Sequence, residues 1–232
     1  MTWISKLAGK VNHTVPRPIL NNVLLTFPVL YRTKVINYET SFGDGLEDLT
    51  HQLEMVLKLD GNIIECGSPY AATSIIMADY LRSSGVHKVI YACDSFQGFD
   101  RTELDKEKKA GLTKIEDKTF TYTSYSYVLR KIKRLGFENT VVPIKGFFEQ
   151  TLPDIKGKFC FALIDCDLRD SIVFCLESIF PDLVSGGRIV IDDYLSEDYK
   201  GARLGVDFFV NRYLDKISEH GTLKTRYFIC KK

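Results

Sequence analysis

Four short apolar runs in this chain each finish on an acid: Ile63-Ile64-Glu65, Ile90-Tyr91-Ala92-Cys93-Asp94, Phe161-Ala162-Leu163-Ile164-Asp165 and Ile189-Val190-Ile191-Asp192. Between them lie longer stretches with apolar residues at helical spacing, such as Leu46, Leu49, Leu53, Val56 and Leu57. Strands separated by helices need crossovers, and crossovers produce a largely parallel, doubly wound α/β sheet. Ligands of such sheets bind outside the carboxyl ends of the strands, where the strand order switches. Glu65, Asp94, Asp165 and Asp192 are therefore all expected at the ligand edge.

The pattern predicts strands over 62–66, 88–93, 140–144, 159–164 and 188–191, with a last strand over 225–230. Helices are expected over 45–58, 70–83, 124–135, 170–180 and 201–217. Residues 100–123 are charged, then rich in Thr and Tyr, and long for a strand-to-helix connection. Such segments are lids or insertions, so a mobile insertion is expected there. Tyr122, Tyr125 and Tyr127 either stack on a ring-shaped substrate or pack against the start of the next helix.

Residues 60–232 make up the main domain, and 1–59 an N-terminal helical segment that serves as a lid or in dimerisation. The apolar run 19–31 is too short and too broken by Asn and Pro to span a bilayer, and no secretory signal precedes it. A net charge of +1 over 232 residues argues against a nucleic-acid surface. The six cysteines show no CxxC or zinc-type spacing, so buried free thiols in a reducing, cytoplasmic compartment are expected. The four histidines fall in no motif.

Two of the strand ends carry acids in pairs, Asp165 with Asp167 and Asp192 with Asp193. Like charges held this close cost stability unless a cation joins them. Mg²⁺ prefers oxygen ligands and keeps positions open for water or substrate. Helix capping would account for one of these acids, but not for two groups on neighbouring strand ends.

Glu65-Cys66-Gly67-Ser68 has the form strand, acid, glycine turn and helix start, which brings a backbone and free N–H groups close to a ligand. It is neither a P-loop nor a dinucleotide fingerprint. Asp94 closes the second strand, where an acid commonly accepts hydrogen bonds from ribose hydroxyls or else caps a turn. Together with the glycine turn, it points to a nucleoside.

Five blocks in this order carry a family resemblance: Glu65-Cys66-Gly67, Cys93-Asp94-Ser95-Phe96-Gln97-Gly98-Phe99, Lys145-Gly146-Phe147-Phe148-Glu149-Gln150-Thr151-Leu152-Pro153, Ile164-Asp165-Cys166-Asp167-Leu168 and Gly187-Arg188-Ile189-Val190-Ile191-Asp192-Asp193-Tyr194. Over about residues 60 to 210 the chain resembles the macrocin (TylF-like) O-methyltransferases. The resemblance implies a class I methyltransferase fold, Rossmann-like, with an antiparallel last strand. It also implies S-adenosylmethionine as donor, Mg²⁺, and a sugar or glycoside hydroxyl as acceptor; a homo-oligomer is expected as well, with residues 1–59 outside the resemblance.

Carried over by position, Glu65, Gly67 and Ser68 border the methionine part of the cofactor. Asp94 holds the ribose, Ser95 and Phe96 lie near the adenosine, and Gly146, Phe147 and Phe148 flank the adenine. Asp165, Asp167, Asp192 and Asp193 supply the metal ligands, and Asp165 also borders the cofactor. Chelation of two adjacent hydroxyls lowers their proton affinity, and Asp165 is expected as the base or as a direct ligand.

The chain departs from the family in three places. Ala71 stands for a glycine, Gln150 for an acid, and Asp167-Leu168-Arg169-Asp170-Ser171 for the usual Asp-Leu-Tyr-Glu-Ser. Arg169 would add a cation beside the metal and suggests an acceptor bearing an anionic group. Two alternatives share most of these features: a catechol-type O-methyltransferase, and a non-catalytic module that binds the cofactor.

Overall fold

The computed structural model describes residues 46–121 and 123–232. In chain order these form α1 (Leu46–Glu54), β1 (Asn62–Cys66), α2 (Ala72–Ser83), β2 (Ile90–Asp94), α3 (Arg101–Lys109), α4 (Tyr125–Leu135), β3 (Val141–Lys145), β4 (Phe159–Ile164), α5 (Arg169–Ile179), β5 (Leu183–Ile191), α6 (Lys200–Tyr213), β6 (Ile217–Leu223) and β7 (Arg226–Lys231). A single helical turn, Phe148–Thr151, sits between β3 and β4.

The strands make one sheet in the order β3-β2-β1-β4-β5-β7-β6. The first five are parallel, and β7 runs antiparallel to both β5 and β6. The order turns outward from β1 and β4, so the crevice of a doubly wound sheet lies beyond their carboxyl ends. The register brings those ends level: Cys66 pairs with Cys93 and with Ile164, and Ile164 pairs with Ile191. Gly67, Asp94, Asp165 and Asp192 follow these residues, so all four emerge along one edge.

Both faces of the sheet are covered, which is why β4 is apolar throughout and β1 carries Ile63, Ile64 and Cys66 in succession around Glu65. Ile63, Phe161, Leu163 and Val190 pack with Leu49, Leu53, Met77, Leu81, Val128 and Ile132 on one side. Ile64, Ala162, Ile164 and Ile191 pack with Ile172, Leu176, Val206 and Phe209 on the other. Burial on this scale, at about 25 cal/mol per Å² of apolar surface, holds the strand ends in place.

The structure departs from the sequence expectation in three elements. The helix expected to reach 217 stops at Tyr213, and Ile217–Leu223 forms an edge strand instead. That strand is mostly exposed and carries Glu219, His220 and Gly221, so its apolar pattern is too thin to signal a strand. Residues 101–109 form a helix inside the expected insertion, with the Asp100 side chain accepting the Glu103 N–H at 3.0 Å. Finally, α1 packs into the sheet core, where Gln52 accepts a hydrogen bond from the buried Arg188 at 2.7 Å. The apolar run 19–31 and Tyr122 lie outside the described residues.

All six cysteines are buried free thiols. No described helix is long and apolar enough to cross a membrane.

Candidate active site

A cleft of about 420 Å³ opens at the carboxyl ends of β1, β2 and β4. Gly67 makes its floor possible. At φ +91 it sits where an L side chain is strained, and a Cβ there would lie 1.9 Å from the Asp165 carbonyl oxygen. Ladder hydrogen bonds lock the turn: Gly67 N–H donates to Cys93 O at 2.9 Å, and Asp165 N–H to Cys66 O at 2.8 Å. The first residue of α2 is preceded by Ala71 at φ 50, with no side-chain cap. Alanine costs roughly 1–2 kcal/mol in that left-handed conformation, which is the physical reason a glycine suits this turn.

Glu65 is buried, and the Ser74 hydroxyl donates to its Oε2. Burial raises its pKa to about 7 against the opposing effect of Ser74. Asp94 accepts the Phe96 N–H at 2.6 Å, so the turn-capping role is real. Its carboxyl still lines the cleft, and burial lifts its pKa to about 6. Ser68, Ser95, Gly146, Phe147 and Phe148 line the same space. Phe96 does not: it is buried with its ring edge-on to Tyr125 at 5.2 Å, and it serves the site through its backbone N–H.

Three of the four paired acids meet in the cleft. Ligand atoms of Asp165, Asp167 and Asp193 all lie within 4.8 Å of one another. Asp167 and Asp193 adopt φ 64 and φ 56, a left-handed conformation that Asp tolerates better than most residues. Burial, and then the neighbouring carboxylates, push the Asp165 and Asp167 carboxyls well above the usual range. A cluster of this kind is a fitting site for a hard divalent cation.

Asp192 is not one of these three, although its charge acts on Asp165 ahead of that of Asp193. Its Oδ1 faces Arg226 Nε at 3.0 Å, both side chains are buried, and it does not line the cleft. Both acids lie past the end of β5, and the left-handed turn at Asp193 carries the second acid into the cleft while the first pairs with Arg226 of β7.

Arg169 also lies elsewhere. Its guanidinium is on the surface, 3.4 Å from Asp170 and 6.0 Å from the centre of the Phe208 ring, outside the cleft lining. An anionic acceptor therefore draws no support from it. Its backbone matters more. Leu168 gives α5 no side-chain cap. Instead Glu107 of α3 accepts the Arg169 N–H at 2.6 Å, and Glu103 accepts the Ser171 N–H at 2.9 Å. The Asp165–Asp167 turn is thus braced by the segment expected to be mobile.

Tyr125 and Tyr127 belong to α4, Tyr127 is buried, and the Tyr125 hydroxyl donates to Pro143 O at 3.3 Å. Besides Phe147 and Phe148, the aromatics lining the cleft are Tyr70, Phe99, Phe120 and Tyr199, with Phe99 and Phe120 edge-on at 5.6 Å. Sequence reasoning singled out neither Tyr199 nor Ser171. Both lie just past an acid-ended strand, and that position was the available signal.

The profile of the macrocin-O-methyltransferase (TylF) family matches residues 42–219. The chain is 29% identical over 178 residues to the 8-demethyl-8-(2,3-dimethoxy-alpha-L-rhamnosyl)-tetracenomycin-C 4'-O-methyltransferase of Streptomyces olivaceus. That alignment covers 69% of this chain and 66% of the relative. It is 26% identical over 168 residues to the demethyldecarbamoylnovobiocin O-methyltransferase of Streptomyces niveus, covering 68% and 63%. The chain thus spans just under two thirds of the length of these relatives.

Among solved structures, the O-methyltransferase NovP superposes with a TM-score of 0.71 at 22% identity, covering 81% of this chain and 79% of that one. The calicheamicin methyltransferase CalS11 superposes at 0.67 and 16% identity, covering 90% and 89%. At these identities the likeness establishes the fold, that of class I methyltransferases.

Proposed function

The chain belongs to the macrocin-O-methyltransferase (TylF) family, and from that premise we propose that it is an S-adenosylmethionine-dependent O-methyltransferase acting on a hydroxyl of a sugar or glycosylated small molecule. One observation carries this reading: a single cleft joins a nucleoside-type edge, Glu65, Gly67 and Asp94, to the carboxylates of Asp165, Asp167 and Asp193. The name of the Streptomyces olivaceus relative, a 4'-O-methyltransferase of a rhamnosyl-tetracenomycin, supports a sugar as the acceptor.

In this reading Asp94 accepts hydrogen bonds from the ribose hydroxyls, and the Gly67-Ser68 turn borders the methionine part. Gly146, Phe147 and Phe148 flank the adenine, with Ser95 nearby. Phe96 acts from behind by holding the Asp94 carboxylate in place. Asp165, Asp167 and Asp193 would hold Mg²⁺, which when bound supplies a Lewis acid that lowers the proton affinity of a chelated hydroxyl.

Methyl transfer from a sulfonium is an in-line displacement, so the cleft must fix donor and acceptor on one axis. Asp165 emerges between the two halves of the cleft. Asp165 is assigned either to the ion or to the acceptor proton, the two tasks its place in the carboxylate cluster allows.

The test pairs calorimetry with S-adenosylhomocysteine and methyl transfer to a panel of methyl glycosides and catechols, with and without EDTA. The expected result is cofactor binding with transfer to a glycoside that stops on chelation. Asp193→Asn should keep S-adenosylhomocysteine affinity while weakening Mn²⁺ binding by more than ~10-fold. Cofactor binding without transfer to any acceptor, or transfer to catechols alone, would overturn the reading.

A further inference from the structure

Two tyrosines line the cleft, Tyr70 and Tyr199, and Tyr199 is the one close enough to Asp165, Asp167 and Asp193 to feel their charges. Its backbone is fixed from both sides. It forms an antiparallel bridge with Thr113, and the next N–H, of Lys200, donates to Leu112 O at 3.0 Å. Its own carbonyl accepts the Ala202 N–H at 3.1 Å at the start of α6. Leu112 is tied in turn to α3, where its N–H reaches Glu107 O at 2.9 Å. The same Glu107 side chain braces Arg169, two residues beyond Asp167. The ring and the carboxylate turn therefore share one support.

The side chain lines the cleft together with Asp165, Asp167 and Asp193. Among the described residues its hydroxyl makes no hydrogen bond. A phenol is protonated at neutral pH, so its hydroxyl is a donor there. A donor beside three carboxylates has two possible targets, a carboxylate or an oxygen of whatever ligand those carboxylates engage. An aromatic face flanking such a site also suits the C–H face of a pyranose.

We propose that Tyr199 positions the acceptor and sets its specificity: its hydroxyl donates a hydrogen bond to the sugar oxygen next to the one methylated, and its ring lies against a C–H face of the sugar. This assignment rests on the O-methyltransferase reading and adds to it a requirement for a second acceptor oxygen beside the reacting one.

The experiment compares wild type, Tyr199→Phe and Tyr199→Ala on the best-transferred member of a methyl glycoside panel, and on its deoxy analogue lacking the neighbouring hydroxyl. Tyr199→Phe should raise the acceptor KM about tenfold, the worth of one hydrogen bond. Its kcat and its calorimetric affinity for S-adenosylhomocysteine should stay within about twofold. The deoxy acceptor should lose at least that factor with wild type, chelation of the missing hydroxyl included, and Tyr199→Phe should add nothing further to its loss, a coupling that a merely structural role would not produce. Tyr199→Ala should raise KM further through loss of the ring.

An unchanged KM in Tyr199→Phe, or independent losses from the variant and the deoxy acceptor, overturns the assignment and leaves the methyltransferase reading standing. Loss of S-adenosylhomocysteine affinity in Tyr199→Phe overturns it as well, because the residue would then serve the cofactor. If wild type transfers to no glycoside at all, the sugar reading fails and this assignment fails with it.

Discussion

Arg226 Nε stands 3.0 Å from Asp192 Oδ1, and both side chains are buried. The pair ties β7 to the carboxyl end of β5 and divides two adjacent acids between two tasks. Asp192 receives its counter-charge from the protein. Asp193 is left to the cleft, where no described cation answers it at ion-pair distance. The antiparallel strand thus sets the composition of the carboxylate cluster from the far side of the sheet.

Removing one member of a buried pair leaves an uncompensated charge. Arg226→Met should destabilise the protein by about 3–5 kcal/mol, the usual cost of stranding such a charge. Arg226→Met with Asp192→Leu should recover much of that loss, because neither charge of the pair remains. Urea unfolding of the two variants checks this. If the double variant is as weak as the single one, stability depends on contacts of Arg226 other than the ion pair.

Asp167 offers a test of charge separated from shape. Asn tolerates the left-handed backbone as well as Asp does, and here φ is 64. Asp167→Asn should therefore stabilise the metal-free protein by on the order of 1 kcal/mol, by removing a buried like charge. Asp167→Ala removes the same charge but adds backbone strain, and it should gain less. With Mg²⁺ at about 100 times its Kd the order should reverse, since wild type alone gains about 2.7 kcal/mol from binding. Thermal unfolding with and without Mg²⁺ reads both arms.

Much of this site was legible because strand ends are legible. A run such as Phe161-Ala162-Leu163-Ile164 has to be a covered strand, and parallel pairing then brings Glu65, Asp94 and Asp165 to one edge. What could not be read depended on distant partners. The facing of Asp192 is decided by Arg226, on a strand contributed by the end of the chain. Helix α3 has only Leu104 as a buried apolar residue, and its glutamates are buried because α5 needs acceptors. Tyr199 is placed by its bridge to Thr113, and no local pattern encodes that bridge.

Glu65 should make stability depend on pH in a definite direction. Its pKa is about 7 in the folded protein against an ordinary value of 4.5. Between these values the folded state holds the extra proton, so this group's contribution to stability falls as pH rises from 4.5 to about 7. Glu65→Gln keeps an oxygen for the Ser74 hydroxyl and removes the titration. Relative to wild type, the cofactor-free variant should gain about 3 kcal/mol on going from pH 4.5 to pH 8. Chemical unfolding at both pH values measures the difference, and parallel curves for the two proteins would show that Glu65 does not titrate in this window.

The brace between α3 and α5 is testable through a glycine that touches neither the cofactor edge nor the carboxylate cluster. Gly201 packs so closely on Glu107 that a Cβ there would lie 2.1 Å from Oε1 and 2.5 Å from Oε2. Glu107 cannot give way cheaply, because Oε1 accepts the Arg169 N–H at 2.6 Å and the residue is buried. Gly201→Ala should push the carboxylate off Arg169 and leave an unsatisfied N–H at the start of α5, a cost of about 1–3 kcal/mol. Glu107→Ala should cost a similar amount by removing the acceptor outright. In the double variant the new methyl enters space the glutamate has vacated, so the two costs should not add, with a coupling of about 1–2 kcal/mol. Glu107→Gln, which keeps an acceptor oxygen and drops a buried charge whose pKa burial already raises, should cost less than Glu107→Ala. Additive losses from Gly201→Ala and Glu107→Ala would mean that the glycine is required by α6 itself, and that the brace is not what its side-chain-free surface protects.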